Sequence, residues 1–477
     1  MPAGGGDRAP ALVPSPVDLP KVTHVAPPSP DPEAAPAGAI VDDDRRDDGE
    51  SDVVLRRAPF SDNPRVGARG QRTQQRIVDA ALRVFGEEGY HQCGVARITE
   101  LAGCSRASFY QYFAGKEDVF RHLAGQVARQ LGASTEALGL VTPDAEGWRS
   151  IRTWVARYGD VFERYEPVFR VFQTAAESDA AVAGGGERTG ERHVAAFRSR
   201  LTATTLPPRQ LDPVLTLLHG GIPRTFDIAT ILRAAAPASY PRERVDDAVA
   251  DVVHRSLFGL QAVNVHPPAR RRPPILEFSP ALRAALTHDG AARELTPAGR
   301  RTLQALTDAG RELFVTRGYH DTRINDVVAA AGLSKGAFYR YFDSKNRLAQ
   351  HLAVQAIRTV STALTDMPAS APDGAARTAA VRRRLRRYNA THAGEAAMIR
   401  VWADAAGEDA TFRSDSAAAL DWGRRRMAHF LRPRGFGDSD SEAVVAVALL
   451  GTFGSRPRSA GTVEAAAHVI ERGFLGR

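Results

Sequence analysis

SRASFYQYFAGKEDVF at residues 105–120 and SKGAFYRYFDSKNRL at 334–348 are two versions of one pattern. Each opens with a serine, a favoured helix N-cap. Phe109 and Phe113 in one, and Phe338 and Phe342 in the other, are four residues apart and share one face of a short helix. That leaves Arg106, Ala107, Ser108, Tyr110 and Gln111 facing outward in the first copy, and Lys335, Gly336, Ala337, Tyr339 and Arg340 in the second. Just upstream, Gly103-Cys104 and Gly332-Leu333 make a tight turn. Before the second turn, Ile324, Val327, Val328 and Ala331 give the preceding helix one apolar face, and Gly318 is a suitable stop for the long helix before that. This is the grammar of a helix-turn-helix.

Working outward, residues 72–123 match 301–352 without a gap at an offset of 229, with 19 of 52 positions identical. Shared composition would not hold one register over that length. FRVFQTAAESDA at 169–180 matches IRVWADAAGEDA at 399–410, and SLFGL at 256–260 and GFLGR at 473–477 end their halves alike. Helical periodicity runs from residue 71, with no convincing alternation of strand type. The chain therefore reads as all-α, a small helical head and a longer helical body, each present twice. The expected divisions are a tail over 1–70, heads over 71–123 and 299–352, bodies over 124–265 and 353–477, and a Pro-rich linker over 266–298 that carries HPPARRRPPI. Within the first body, AVAGGGERTG at 181–190 reads as a flexible loop.

Composition bounds the rest. The 477 residues carry a net charge of +8, but the tail holds 8 basic and 12 acidic residues, so the remainder carries +12. The tail also has 12 of the 30 prolines and one aromatic residue, Phe60, too little apolar surface to offset the entropy of ordering, and it reads as disordered. It is either a solvating segment or an acidic arm that competes with nucleic acid for the basic remainder. Only four lysines occur, and three of them, Lys116, Lys335 and Lys345, fall in the heads. Cys93 and Cys104 cannot make a zinc site alone, and the helix between them keeps them too far apart for a disulfide. No apolar run is long enough to span a membrane and no signal peptide is visible, so the expected location is cytoplasmic, at the nucleoid.

A short helix bearing small, basic and amide side chains suits the DNA major groove. Small residues let its axis approach the bases, Arg or Lys can pair with guanine, and Gln with adenine. Tyr110 and Tyr339 can reach phosphate or pack on a sugar. Lys116 and Lys345 begin the next helix, where free N–H groups already favour a backbone phosphate. His91 and His320 follow Tyr at the turn and read as structural, with a titrating switch as the other reading.

These stretches, with RVFGEEGYHQCGVARITELAG at 83–103 and ELFVTRGYHDTRINDVVAAAG at 312–332, resemble the DNA-binding heads of the Tet-repressor family of bacterial regulators. The resemblance covers about 50 residues per copy. It implies a three-helix head, a variable ligand-binding body of several helices, and release of double-stranded DNA when ligand binds. By position, it makes Ser105, Arg106, Ser108, Tyr110, Gln111, Tyr112 and Lys116 the contacts of the first head. In the second they are Ser334, Lys335, Ala337, Tyr339, Arg340, Tyr341 and Lys345. Ala337 has no hydroxyl where the family usually has one, and Ala96 is inert where Asn325 can hydrogen-bond.

Aromatic stripes in the bodies are either core or pocket lining. The resemblance favours a pocket for a small apolar effector, with Trp154, Tyr158, Phe162 and Phe172 in the first body and Trp402 in a second, weaker one. It also suggests that the last two helices of each body, EAVVAVALLGTF at 442–453 being the clearest, form a dimer bundle. Here both halves lie in one chain, and a linker of this length reaches up to about 100 Å. The expectation is an intramolecular pseudo-dimer, a homodimer remaining the alternative, that holds two unlike helices about 34 Å apart over an asymmetric operator. No phosphate loop, HExxH or GxSxG motif is present, so neither catalysis nor a cofactor or metal is expected. The rival function is a helical protein-interaction adaptor that no longer binds DNA.

Overall fold

The computed structural model describes residues 68–178, 180–266, 272–280, 282–283, 295–365, 375–406, 410–456 and 459–476. The tail expectation, up to residue 67, lies outside the described residues. The helices of the first half are α1 (Ala68–Glu87), α2 (Val95–Ala102), α3 (Arg106–Tyr112), α4 (Lys116–Glu136), α5 (Ala145–Arg164), α6 (Glu166–Ser178), α7 (Ala180–Arg200), α8 (Pro208–Ala235) and α9 (Arg242–Phe258). Those of the second half are α10 (Pro297–Asp321), α11 (Ile324–Ala330), α12 (Lys335–Tyr339), α13 (Lys345–Thr365), α14 (Ala375–Ala406), α15 (Ala410–Leu431), α16 (Ser439–Gly454) and α17 (Ala460–His468), whose last turns widen into a π-helix over Val469–Phe474. The only extended pairing among the described residues is an isolated bridge between Val141 and Leu201.

Local chemistry sets the head helices. Gly103 and Gly332 follow α2 and α11 with φ of 60° and 64°, a left-handed conformation that costs other residues energy. Ser105 Oγ accepts the Ser108 N–H at 3.1 Å, and Ser334 Oγ accepts the Ala337 N–H at 3.2 Å, each satisfying a free donor at a helix start. Gly89 and its repeat equivalent Gly318 carry φ of 84° and 78°. Gly318 thus breaks the backbone within α10, although a helical turn resumes beyond it.

Two expectations are corrected. Residues 181–190 are not a loop but the first half of α7. The glycines serve packing there: a Cβ on Gly186 would stand 2.5 Å from Phe172 Cζ, so α6 and α7 approach only without a side chain at 186. Close packing offsets the intrinsic cost of glycine in a helix. Nor is 266–298 wholly a free linker. The Leu276 N–H donates to Asp421 at 3.1 Å, the Ser279 N–H donates to Asp415 at 2.7 Å, and Leu282 is buried, so this part of it docks on the second body.

The two halves pack through their last helices. α8 lies against α16 with glycine at the closest approach, where a Cβ on Gly221 would meet Leu449 Cδ2 at 2.4 Å. α9 lies against α16 and the π-turns after α17. At the centre, the fully buried Arg255 donates through Nε to Gly473 O, through Nη1 to Asn264 O and through Nη2 to Glu442 Oε2, each at 2.7 Å. Arg434 reaches the same Glu442 oxygen at 2.6 Å. Removing one member of such a buried network leaves uncompensated charge. Glu442→Gln is therefore expected to cost about 3–5 kcal/mol in a urea denaturation. A loss under about 1 kcal/mol, of the size of an exposed pair, would contradict that role.

Candidate functional site

On the recognition-type helices α3 and α12, Arg106, Tyr110 and Gln111 are exposed, as are Lys335, Tyr339 and Arg340. Arg106, Lys335 and Arg340 pair with no carboxylate among the described residues, which leaves three cations facing solvent. Ser105, Ser334 and Asn325 are also exposed, and Ser108 and Ala337 are half-buried. Tyr112 is 9% exposed and belongs to the head core, and Tyr341 is half-buried against the second core. The sequence did not separate these two from the solvent-facing positions, because they were placed by motif position and not by helical phase.

Lys116 and Lys345 have a different setting from the one expected. Lys116 Nζ donates to the carbonyls of Tyr90 at 2.9 Å and of His91 and Cys93 at 3.2 Å, and lies 4.9 Å from the centre of the Tyr90 ring. Lys345 Nζ donates to Tyr319 O at 2.7 Å and lies 4.1 Å over that tyrosine's ring. Three ammonium donors matched by three carbonyls tie the turn after α1 to the start of α4, so Lys116 holds the head's shape. The nearby Cys93 thiol is free and buried, and burial pushes its pKa up; Cys104 is free and half-buried.

The heads touch each other. The rings of His91 and His320 stack with centroids 4.1 Å apart and planes 17° apart. These residues are repeat equivalents, and a residue that meets its own equivalent marks a local two-fold axis.

In the first body, Trp154, Tyr158 and Phe162 are buried, and Phe172 rests on Gly186. Of these four, Trp154 lines a small cavity, together with Phe197, Leu215, Leu218, Ile222, His193 and His219. Tyr158 and Phe162 pack on Phe226 and Phe169 in the surrounding core. Trp402 packs on Phe412 and hydrogen-bonds Ser416, within the core that the second body shares with its head. A second, wholly apolar cavity is lined instead by Leu217, Met427, Phe430, Leu449, Phe453 and Phe474, among others, from both halves.

The sequence reading missed His193 and His219. Their Nδ1 and Nε2 atoms lie 3.0 Å apart, while His193 Nε2 and His219 Nδ1 are buried without a hydrogen-bond partner. Burial, reinforced by neighbouring positive groups, lowers their pKa values to about 4 and about 3. The signal was a single His on an otherwise apolar face in LLHGG and in HVAAF, and nothing in sequence joined the two.

What the geometry defines is a duplicated helix-turn-helix protein with helical bodies. Residues 77–123 and 306–352 each match the family model for bacterial regulatory proteins, tetR family. These two segments, in tandem in one chain, are thus each similar to that family's model. The chain is 30% identical over 113 residues to the HTH-type transcriptional repressor AcnR of Corynebacterium glutamicum, covering 22% of this chain and 58% of the relative. It is 39% identical over 59 residues to the fatty acid metabolism regulator protein of Bacillus subtilis, covering 12% and 30%. To the HTH-type transcriptional repressor DhaR of a Mycobacterium species it is 37% identical over 67 residues, covering 13% and 34%. The chain thus spans less than two thirds of the length of each of these relatives.

The histidine pair gives a pH prediction. A histidine whose folded pKa is depressed binds its proton more readily in the unfolded chain, so stability falls as pH drops from about 6.5 toward 4. The thermal midpoint should fall over that window. In His193→Gln it should fall less steeply, as read by circular dichroism melts across a pH series. Parallel curves for the two proteins would show that the pair does not contribute.

Proposed function

We propose that the chain is a DNA-binding transcriptional regulator, a repressor whose two unlike heads read one asymmetric operator and which a small apolar effector releases. The observation that carries this reading is the pair of exposed helices with unpaired cations, on heads that meet at His91 and His320. A helix of this kind presents side chains to base edges in the major groove. The α8, α9, α16 and α17 packing supports an intramolecular pseudo-dimer, since the faces that would otherwise seek a second chain are used within one.

The heads differ where base contacts are expected. Arg106 and Gln111 stand where the second head has Lys335 and Arg340, one and six residues after their serine caps. Arg106→Ala and Lys335→Ala should therefore relax specificity in different half-sites, each costing about 1–3 kcal/mol. Tyr110 and Tyr339 supply backbone contacts, as Asn325 does from α11. Lys116→Ala should weaken binding to all sequences alike, through loss of head shape, and should also lower the thermal midpoint.

The test is selection of bound fragments from a random DNA library, followed by footprinting and gel shifts in a salt series. The expected result is an asymmetric site, bound less tightly as salt rises through counterion release. An obligate dimer in light scattering with footprints on perfect palindromes would overturn the pseudo-dimer. Absence of any shift would favour an adaptor.

A further inference from the structure

α1 carries a row of arginines. Arg69, Arg72 and Arg76 are three and four positions apart, so they share one face of the helix. All three are exposed, and among the described residues none has an ion pair or a side-chain hydrogen bond. The acids of α1 do not serve them: Asp79 accepts from Gln75 at 2.8 Å, and Glu87 pairs with Arg83 at 2.8 Å, further along. Like charges one turn apart weaken a helix. Arg69 and Arg72 also lie in its first two turns, the end whose free N–H groups disfavour cations, and no acid stands in the first turn to offset them. The row therefore works against its own helix, and an anion from outside the fold is what would relieve it.

The row runs up to the turn of the helix-turn-helix. For a Cβ on Gly103 the nearest neighbour would be Arg76 Nη1, at 3.9 Å. The Cys104 thiol feels the same charge: burial raises its pKa and Arg76 opposes the rise. Gly103 and Cys104 lead straight into Ser105, the cap of α3. Arg76 thus stands beside the start of the recognition-type helix, and Arg72 and Arg69 carry the positive line about 10 Å further along α1. About three phosphates of one strand occupy that length of duplex axis.

The second head has no such row. At the same offset of 229 stand Ala298, Arg301 and Ala305. Arg301 is turned back on its own helix, its Nε donating to Pro297 O at 3.4 Å. The exposed cations of this head sit elsewhere, Lys335 and Arg340 on α12 and Arg323 just before α11.

We propose that Arg69, Arg72 and Arg76 grip the sugar-phosphate backbone of duplex DNA beside the first half-site, and that α10 makes no equivalent contact at the second. The inference rests on the DNA-binding reading above and divides its backbone contacts unequally between the heads. Phosphates carry no sequence information, so the row sets affinity and register while α3 and α12 choose the bases.

The experiment is fluorescence anisotropy of the full chain with two labelled duplexes, one selected for tight binding and one of random sequence, in a potassium chloride series. Three variants are compared with the parent: Arg69→Gln with Arg72→Gln and Arg76→Gln, Arg69→Lys with Arg72→Lys and Arg76→Lys, and Arg301→Gln alone. The triple glutamine variant is expected to lose about 2 to 3 from the slope of log K against log salt, at about 0.9 for each phosphate contact, and to weaken by the same factor on both duplexes. The triple lysine variant should keep the parent slope, and Arg301→Gln should change it by less than about 1. Because glutamine removes a repulsion, the thermal midpoint of the triple variant should not fall. A parent slope in the triple glutamine variant, a loss confined to the selected duplex, an equal loss in Arg301→Gln, or a lowered midpoint that makes the row structural would overturn this proposal alone. No binding of either duplex by the parent would overturn it together with the DNA-binding reading.

Discussion

A buried guanidinium–carboxylate pair between the halves sets the terms for the rest of the structure. Arg255 and Glu442 are both fully buried and lie 187 positions apart in sequence. Charges taken out of water at this depth are tolerated only with their hydrogen bonds made. Arg255 makes bonds to Gly473, Asn264 and Glu442, so α9, the turn after it, α16 and the chain's last turns have one register that satisfies all of them. Sliding either half by one helical turn would strand the charge. Apolar packing between α8 and α16 is less selective, because leucine and alanine faces tolerate shifts at modest cost.

That register fixes where the heads stand. Each head is held by Phe109 and Phe113 or by Phe338 and Phe342, in a core that runs on into its body, and each is stiffened by a lysine whose ammonium donates to backbone carbonyl oxygen of the turn. The His91–His320 stack then joins the heads directly. A helix of seven residues, or of five, cannot hold its own direction in water. Its aim comes from these contacts, so residues that never meet DNA decide how DNA would be met.

The heads were legible in sequence because their determinants are local: a serine cap, a left-handed glycine and two phenylalanines four apart. The register of the repeat showed the duplication. Long-range pairings were not legible. Lys116 looked like a phosphate ligand because its place at a helix start is visible in sequence, whereas the carbonyls of Tyr90, His91 and Cys93 come to it only in the fold. Gly184-Gly185-Gly186 looked like a loop because glycine's helix cost is intrinsic, while the benefit of admitting Phe172 is tertiary. His193 and His219 carry no motif, and only the packing of α7 on α8 brings them together.

Duplication within one chain also removes a constraint that a symmetric dimer must obey. When two copies meet across a two-fold, every residue appears twice and a buried charge must be satisfied in both places. Arg255 and Arg472 stand just before the matching ends SLFGL and GFLGR. Arg255 is fully paired with Glu442, while Arg472 packs at Gly259 and leaves its Nε without a partner. The two halves have thus diverged even where they hold each other, and one well-paired arginine suffices for the single contact. The same freedom extends to the heads: Ala96 stands where the other head has Asn325, and Ser108 where it has Ala337, in a frame that no longer needs the two to agree. An interface that tolerates unlike halves at its centre can tolerate unlike reading surfaces at its ends.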